Sequence, residues 1–471
     1  MSNIRHPSSY RDPKGYVLRS GGRIFRLIED SALNDFKNLQ SSGILDKLSS
    51  LGHIVATWKV KAEDTPSEIT DSLTNNPHLL VEHEFIPFIS YPYEWPFALL
   101  KKAAILYLEL YLELLESNFA LSDGSAYNIQ FIGTKPIFID ILSICPYREG
   151  EYWAGYKQFC EQFLNPLLLT SLNGVAHQSW LRGSPEGIPI EDMAKILPLH
   201  SKLSWRVQLH VHLHAKMYLK SLSENYTEQT SNSIQKYKPM PKSALIWLLK
   251  SLRTWISELN PRAKKHTLWK NYEQNTSYDQ LERESKREFI SRYANQVKPQ
   301  EVLDIGCNTG NYSQIALASG VKRVIGIDFD HGAIDIAVAR SDDQKINLLP
   351  LIIDAMNPSP NQGWAQREWL GFSERTNADG LLALAFLHHI IIGKNVPIEQ
   401  AIEWLVTLAP SGVIEFVPKN DPMVKLLLAN RVDIFPKYNI EFFRNELSRH
   451  VSIINELVIS SSGRTLFEFK R

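Results

Sequence analysis

Cysteine is scarce in this chain, with three in 471 residues, Cys145, Cys160 and Cys307. Three scattered thiols exclude a disulfide framework and a cysteine-rich zinc site, and they fit a reducing cytoplasm. An excess of one charge sign is also missing. Lys+Arg and Asp+Glu balance at 51 each, so no global basic field suggests a nucleic acid as partner. Long uncharged apolar runs are absent as well. The most apolar segment, FALLKKAAILYLELYLELLESNFAL (97–121), carries Lys101, Lys102, Glu109, Glu113 and Glu116. A membrane span needs about twenty residues nearly free of charge, so a mostly buried helix is predicted here instead. The opening MSNIRHPSSYRDPKGY has no apolar leader region. The expectations are a cytoplasmic protein with no membrane span and no nucleic-acid partner.

The remaining composition is ordinary globular material, 44% hydrophobic and 22% charged. The length is about three usual domains, so two or three are expected. The character of the chain changes near residue 263. Beyond it, EVLDIG, RVIGID, LLPLIID, GLLALAFL and GVIEFVP are short apolar runs, most of them separated by helical segments. That alternation predicts an α/β, doubly wound parallel sheet, and the final HVSIINELVISSSGRTLFEFK predicts a closing antiparallel hairpin.

EVLDIGCNTGNYSQIAL (301–317) runs a buried strand into a glycine turn and then a helix. Gly306 and Gly310 let backbone approach a ligand where a side chain would collide. The D-x-G-x-x-x-G spacing is not that of a dinucleotide fingerprint. The next strand ends in Asp328, 24 residues after Asp304, and the third in Asp354 and Ala355. Together these resemble the donor site of class I S-adenosylmethionine-dependent methyltransferases. The resemblance covers 263–471 and implies S-adenosylmethionine as cofactor. It implies that Asp304, Gly306, Cys307, Asn308 and Gly310 lie at the methionine end, Asp328 on the ribose hydroxyls, and Phe329, Asp354 and Ala355 at the adenine. Cys307 reads as small-residue packing and not as a nucleophile.

The acceptor side is marked by His388 and His389, expected at the end of the fourth strand. A histidine there could remove a proton from a hydroxyl, or simply cap or fill the core. An Asn- or Asp-Pro-Pro-Tyr tetrad is absent, which argues against N-methylation of bases or protein amides. Glu415, Lys419 and Asp421 are expected as solvated charges near the same rim. In the long connection 357–379, Trp364 and Trp369 could stack on a substrate or anchor the loop. Residues 266–290, with Trp269, Tyr272 and Tyr278, look like a lid. The ensemble is similar to a bacterial group of large methyltransferases with nodulation-protein-like members, which leaves the acceptor as a small molecule or glycan.

The N-terminal part (1–262) contains SDGSAYNIQFIGTKPIFID (122–140). Asp123, Asn128 and Asp140 have the spacing of a kinase catalytic loop with its metal-binding Asp. The region resembles an α+β kinase-like domain of the aminoglycoside-phosphotransferase type, with a small lobe over about 1–96 and a helical lobe over about 97–262. Asp123 would be the base, and Asn128 and Asp140 the metal ligands. A glycine-rich phosphate cover is missing, the lysine position is filled at best by Arg26, and the Asp140 segment reads Asp-Ile-Leu. The expectation is a methyltransferase acting by O-methylation, with an inactive kinase-like domain that binds acceptor or partner, and no bound metal. A homodimer or protein partner remains open. Two alternatives stand beside it: a bifunctional kinase–methyltransferase making a methyl phosphate cap on a glycan, and a nucleotide-sensing scaffold.

Overall fold

The computed structural model describes residues 5–72, 79–217, 239–262, 280–429 and 431–471. The chain divides into two compact units. The first comprises Met1–Phe131, Lys135–Lys264 and Gln362–Trp369. The second comprises Ile132–Thr134, Lys265–Asn361 and Leu370–Arg471.

The first unit opens with strands β1 (Gly15–Ser20) and β2 (Arg23–Ile28). Gly21 and Gly22 join them, both at positive φ, which two-residue hairpin turns of this hand require. Helix α1 (Asp30–Ser41), β3 (Thr57–Lys59) and β4 (Leu79–His83) follow, and the antiparallel sheet runs β1-β2-β4-β3. Helix α2 (Phe97–Glu116) buries twelve of its twenty residues, so it is enclosed on most sides despite its five charges. It leads to two small ladders: β5 (Phe119–Leu121) with β8 (Ile144–Pro146), and the hairpin β6 (Ile129–Ile132) and β7 (Lys135–Phe138). Later in this unit, α3 (Lys242–Glu258) packs on α2. The polar stretch 223–243 lies mostly outside the described residues.

The second unit begins with α4 (Gln280–Val297). It continues through β9 (Glu301–Ile305), α5 (Asn311–Ala318), β10 (Arg323–Asp328), α6 (His331–Gln344) and β11 (Leu348–Ile352). Then come β12 (Gly380–Ala383), α7 (Leu387–Lys394), α8 (Ile398–Thr407) and β13 (Ser411–Phe416). Helices α9 (Pro422–Leu428) and α10 (Ile440–His450) precede β14 (Ser452–Val458) and β15 (Thr465–Lys470). The seven strands run β11-β10-β9-β12-β13-β15-β14; the first five are parallel, and β15 is antiparallel to both its neighbours. This is the mixed sheet that the apolar runs and the final hairpin predict. The outermost strand, β14, is broken by a bulge between Ile453 and Asn455. Because the order of strand addition reverses at β9, with β10 and β11 added on one side and β12 and β13 on the other, the carboxyl ends of β9 and β12 form a crevice where α/β sheets bind ligands.

Candidate active site

The turn after β9 is shaped by Gly306, Asn308 and Gly310, all at positive φ. A Cβ on Gly310 would stand 2.8 Å from Leu348 Cδ2, so this glycine is also required for packing. The Gly306 and Cys307 N–H groups both donate to the Ile327 carbonyl, at 2.8 and 3.1 Å, tying the turn to β10. Cys307 faces inward. Its Sγ occupies the space over Gly326, and burial pushes its thiol well above the usual range, so it stays protonated.

Asp328, at the end of β10, is held by backbone on both oxygens. Asn308 N–H donates to Oδ2 at 3.0 Å and Asp330 N–H to Oδ1 at 2.9 Å. Burial nevertheless pushes this carboxyl up to about 6. Each oxygen keeps a second lone pair to offer. Phe329 beside it is 57% exposed, and past the end of β11 Asp354 and Met356 are exposed too, with Ala355 half-buried. Asp354 Oδ1 accepts the Met356 N–H at 2.9 Å. Asp304, by contrast, is buried within β9 and accepts the Ser313 hydroxyl; burial raises it to about 6, opposed by Ser313 and by Lys286.

Glu415 and Asp421 were expected as solvated rim charges, but both are buried. Lys286 Nζ of α4 donates to Glu415 Oε2 at 2.6 Å. Arg464, between β14 and β15, reaches Glu415 Oε1 at 3.4 Å and grips Asp421 through Nε at 2.7 Å and Nη2 at 3.0 Å. Asp421 in turn caps α9 by accepting the Met423 N–H. Lys419 alone of the three expected charges lies at the surface, paired with Asp433 at 2.7 Å. A charge in a fully buried strand must find a buried counter-ion, and Glu415 finds two.

The histidine pair requires a second correction. Strand β12 ends at Ala383, and His388 and His389 sit in the first turn of α7, with ring centroids 4.1 Å apart. His388 is 1% exposed and neither ring nitrogen has a hydrogen-bond partner. Burial, and then the neighbouring His389 ring and the charges of Arg464 and Lys286, which oppose a second positive charge, holds it well below the usual histidine range. His389 is half-buried and lowered to about 4, by burial and then by Arg464. Both rings are therefore neutral at pH 7. At the carboxyl end of β13 lies a cavity of about 530 Å³, lined by Phe416, Pro418, Tyr438, Arg444 and Glu456 among others.

In the first unit the kinase-spaced residues do come together. Asn128 Nδ2 donates to both oxygens of Asp123, at 3.1 and 3.0 Å. Burial, reinforced by Asp140, raises Asp123 to about 6. Asp140 is bound by Arg26 Nη1 of β2 at 2.5 Å. Trp369, which groups with this unit, stacks on Tyr127 at 4.7 Å and so anchors its loop, while Trp364 is exposed. Trp269, Tyr272 and Tyr278 of the expected lid lie outside the described residues.

Residues 284–366 match a family model for FtsJ-like methyltransferases. Nodulation protein NoeA of Rhizobium meliloti (strain 1021) is 41% identical over 469 residues, covering 99% of this chain and 96% of that protein. The chain belongs to the NoeA family. Its second unit is a methyltransferase domain with S-adenosylmethionine as cofactor. Among solved structures, the chain is similar to the N-methyltransferase NodS of Bradyrhizobium japonicum WM9 in complex with S-adenosyl-L-homocysteine. That match is 14% identical, covers 44% of this chain and 99% of NodS, and has a TM-score of 0.31. It is also similar to the bifunctional kinase–methyltransferase WbdD, 17% identical over 46% of each chain, with a TM-score of 0.29.

Lys286 and Arg464 are functional-site neighbours that sequence reasoning missed. Lys286 stands in the charge-rich ERESKREF, which reads as a solvated helix, and Arg464 in a hairpin turn. The one usable signal was Glu415, a lone acid inside an apolar strand run. Replacing Lys286 by Met should leave Glu415 buried beside a single, more distant cation and cost about 3–5 kcal/mol. Urea unfolding at pH 7 measures this, and Lys286→Met/Glu415→Leu should recover part of the loss.

Proposed function

We propose that this NoeA-family protein methylates a hydroxyl of a small-molecule or glycan acceptor, in a reducing cytoplasm that its three unpaired cysteines suit. The neutral histidine pair on the first turn of α7 carries the reading. S-adenosylmethionine, when bound, supplies an electrophilic methyl group on a sulfonium. The residues present fit that donor. The positive-φ turn from Gly306 to Gly310 offers close backbone, with Asp304 behind it as a positioning group. Asp328 accepts from the ribose hydroxyls, and the exposed faces of Phe329 and Met356, with Asp354 and Ala355, suit a flat purine with an exocyclic amine.

S-adenosylmethionine would supply the methyl carbon for in-line displacement by the acceptor oxygen, so the chain's own contribution would be mainly to position the two. His389, partly exposed, takes the hydroxyl proton. His388, itself buried, packs beside it with ring centroids 4.1 Å apart.

The first unit we read as a kinase-like domain (1–262) that binds acceptor or partner without turning over ATP. The observation supporting inactivity is the Arg26–Asp140 pair, because a guanidinium there neutralises the carboxylate that a Mg²⁺ ion would need. The Asp123–Asn128 pairing favours the bifunctional reading as runner-up.

Three outcomes test these roles. Asp328 must be ionised to accept two hydroxyls. Donor affinity should be full above pH 7 and fall about tenfold per unit below pH 6, and Asp328→Ala should remove binding measurable by calorimetry. His389→Gln should lower kcat by about 10²–10⁴ with donor affinity unchanged; full turnover would point to an acceptor that is already ionised, such as a carboxylate or phosphate. Asp140→Asn should leave methyl transfer intact, and labelled γ-phosphate should not reach a glycan. Transfer that stops in Asp123→Ala would establish the bifunctional reading instead.

A further inference from the structure

The helical part of the first unit carries an apolar face that methyl transfer does not use. Leu199 and Leu203 bound a short 3₁₀ turn and are 79% and 90% exposed. Trp205 follows at 54% exposure, and its ring lies 6.5 Å from that of Trp247 on α3, 57% exposed. Single exposed leucines need no explanation, but two leucines leading into a tryptophan pair form a patch of the kind that marks a contact surface.

Charge distinguishes this face from the rest of a protein whose charges balance. From Met193 to Met217 the chain has no Asp or Glu, but it has Lys195, Lys202, Arg206 and Lys216. Lys195 and Arg206 pair with Asp192 and Glu258, at 3.0 and 2.6 Å. Lys202 sits in the 3₁₀ turn itself, and Lys250 lies one turn along α3 from Trp247; both are exposed.

We propose that this face docks the protein on an anionic phospholipid surface. The two leucines enter the headgroup layer, the tryptophan rings lie at the interface where their amphipathic character is favoured, and the lysines meet lipid phosphates. A protein partner fits less well. The leucines stand out from the surface, and the centres of protein interfaces are depleted in lysine. The contact is superficial, since no described helix is long and apolar enough to cross a membrane.

The test is flotation of the full-length protein with vesicles of phosphatidylcholine alone or mixed equally with phosphatidylglycerol. Binding to the anionic vesicles is expected, with at least about tenfold less on phosphatidylcholine and a marked fall in about 0.5 M salt. Leu203→Glu/Trp205→Ala should lower partitioning about tenfold or more, with melting temperature and S-adenosylmethionine affinity unchanged. Lys202→Glu/Lys250→Glu should act on the anionic vesicles alone. Absence of binding to anionic vesicles overturns the proposal, as does full binding by the Leu203/Trp205 variant. A concentration-dependent dimer in light scattering that the same variant abolishes would assign the face to a second copy of the chain.

Discussion

Four buried charges in series, Lys286–Glu415–Arg464–Asp421, tie four elements of the second unit together. Each comes from a different element: α4, β13, the β14–β15 turn and the N-terminus of α9. Removing any one leaves a neighbour ionised in an apolar interior, which is far more costly than losing an ordinary contact. The chain is neutral in sum, and its two cations also hold down the protonation of His388. Structure and electrostatics around α7 therefore share one origin.

The carboxylates of the two units show how neighbours decide what the same group can do. Asp328 and Asp123 are both buried enough to rise to about 6. Asp328 is met by backbone N–H groups, which leave lone pairs for a ligand. Asp123 is met by the Asn128 amide, and nearby Asp140 by a guanidinium. A polar N–H neighbour keeps an acceptor usable, whereas a fixed cation competes with any metal for it.

What could be read from sequence follows the range of the interactions. The parallel strands, the glycine turn and Asp328 are legible because near-continuous apolar runs and Gly spacing are local consequences of burial and backbone geometry. The closing hairpin is legible for the same reason. The placement of His388 and His389 in a helix was missed by a few residues, because the apolar run LLALAFL continues past the strand end at Ala383. The burial of Glu415 and Asp421 was missed because their partners, Lys286 and Arg464, are 129 and 43 residues away. No local pattern encodes a pairing of that range. Arg26 and Asp140, 114 residues apart, are a comparable case.

The bulge on β14 has a consequence for self-association. This strand ends the seven-stranded sheet, and Ile454 and Val458 on it are exposed. A straight, apolar edge with unpaired backbone groups is a template on which another chain can add a strand. The irregularity between Ile453 and Asn455 breaks the even spacing of that edge, and the Arg444–Glu456 ion pair places charge beside it. An incoming strand would find no continuous ladder to extend along β14, so this edge of the sheet is a poor template for strand addition.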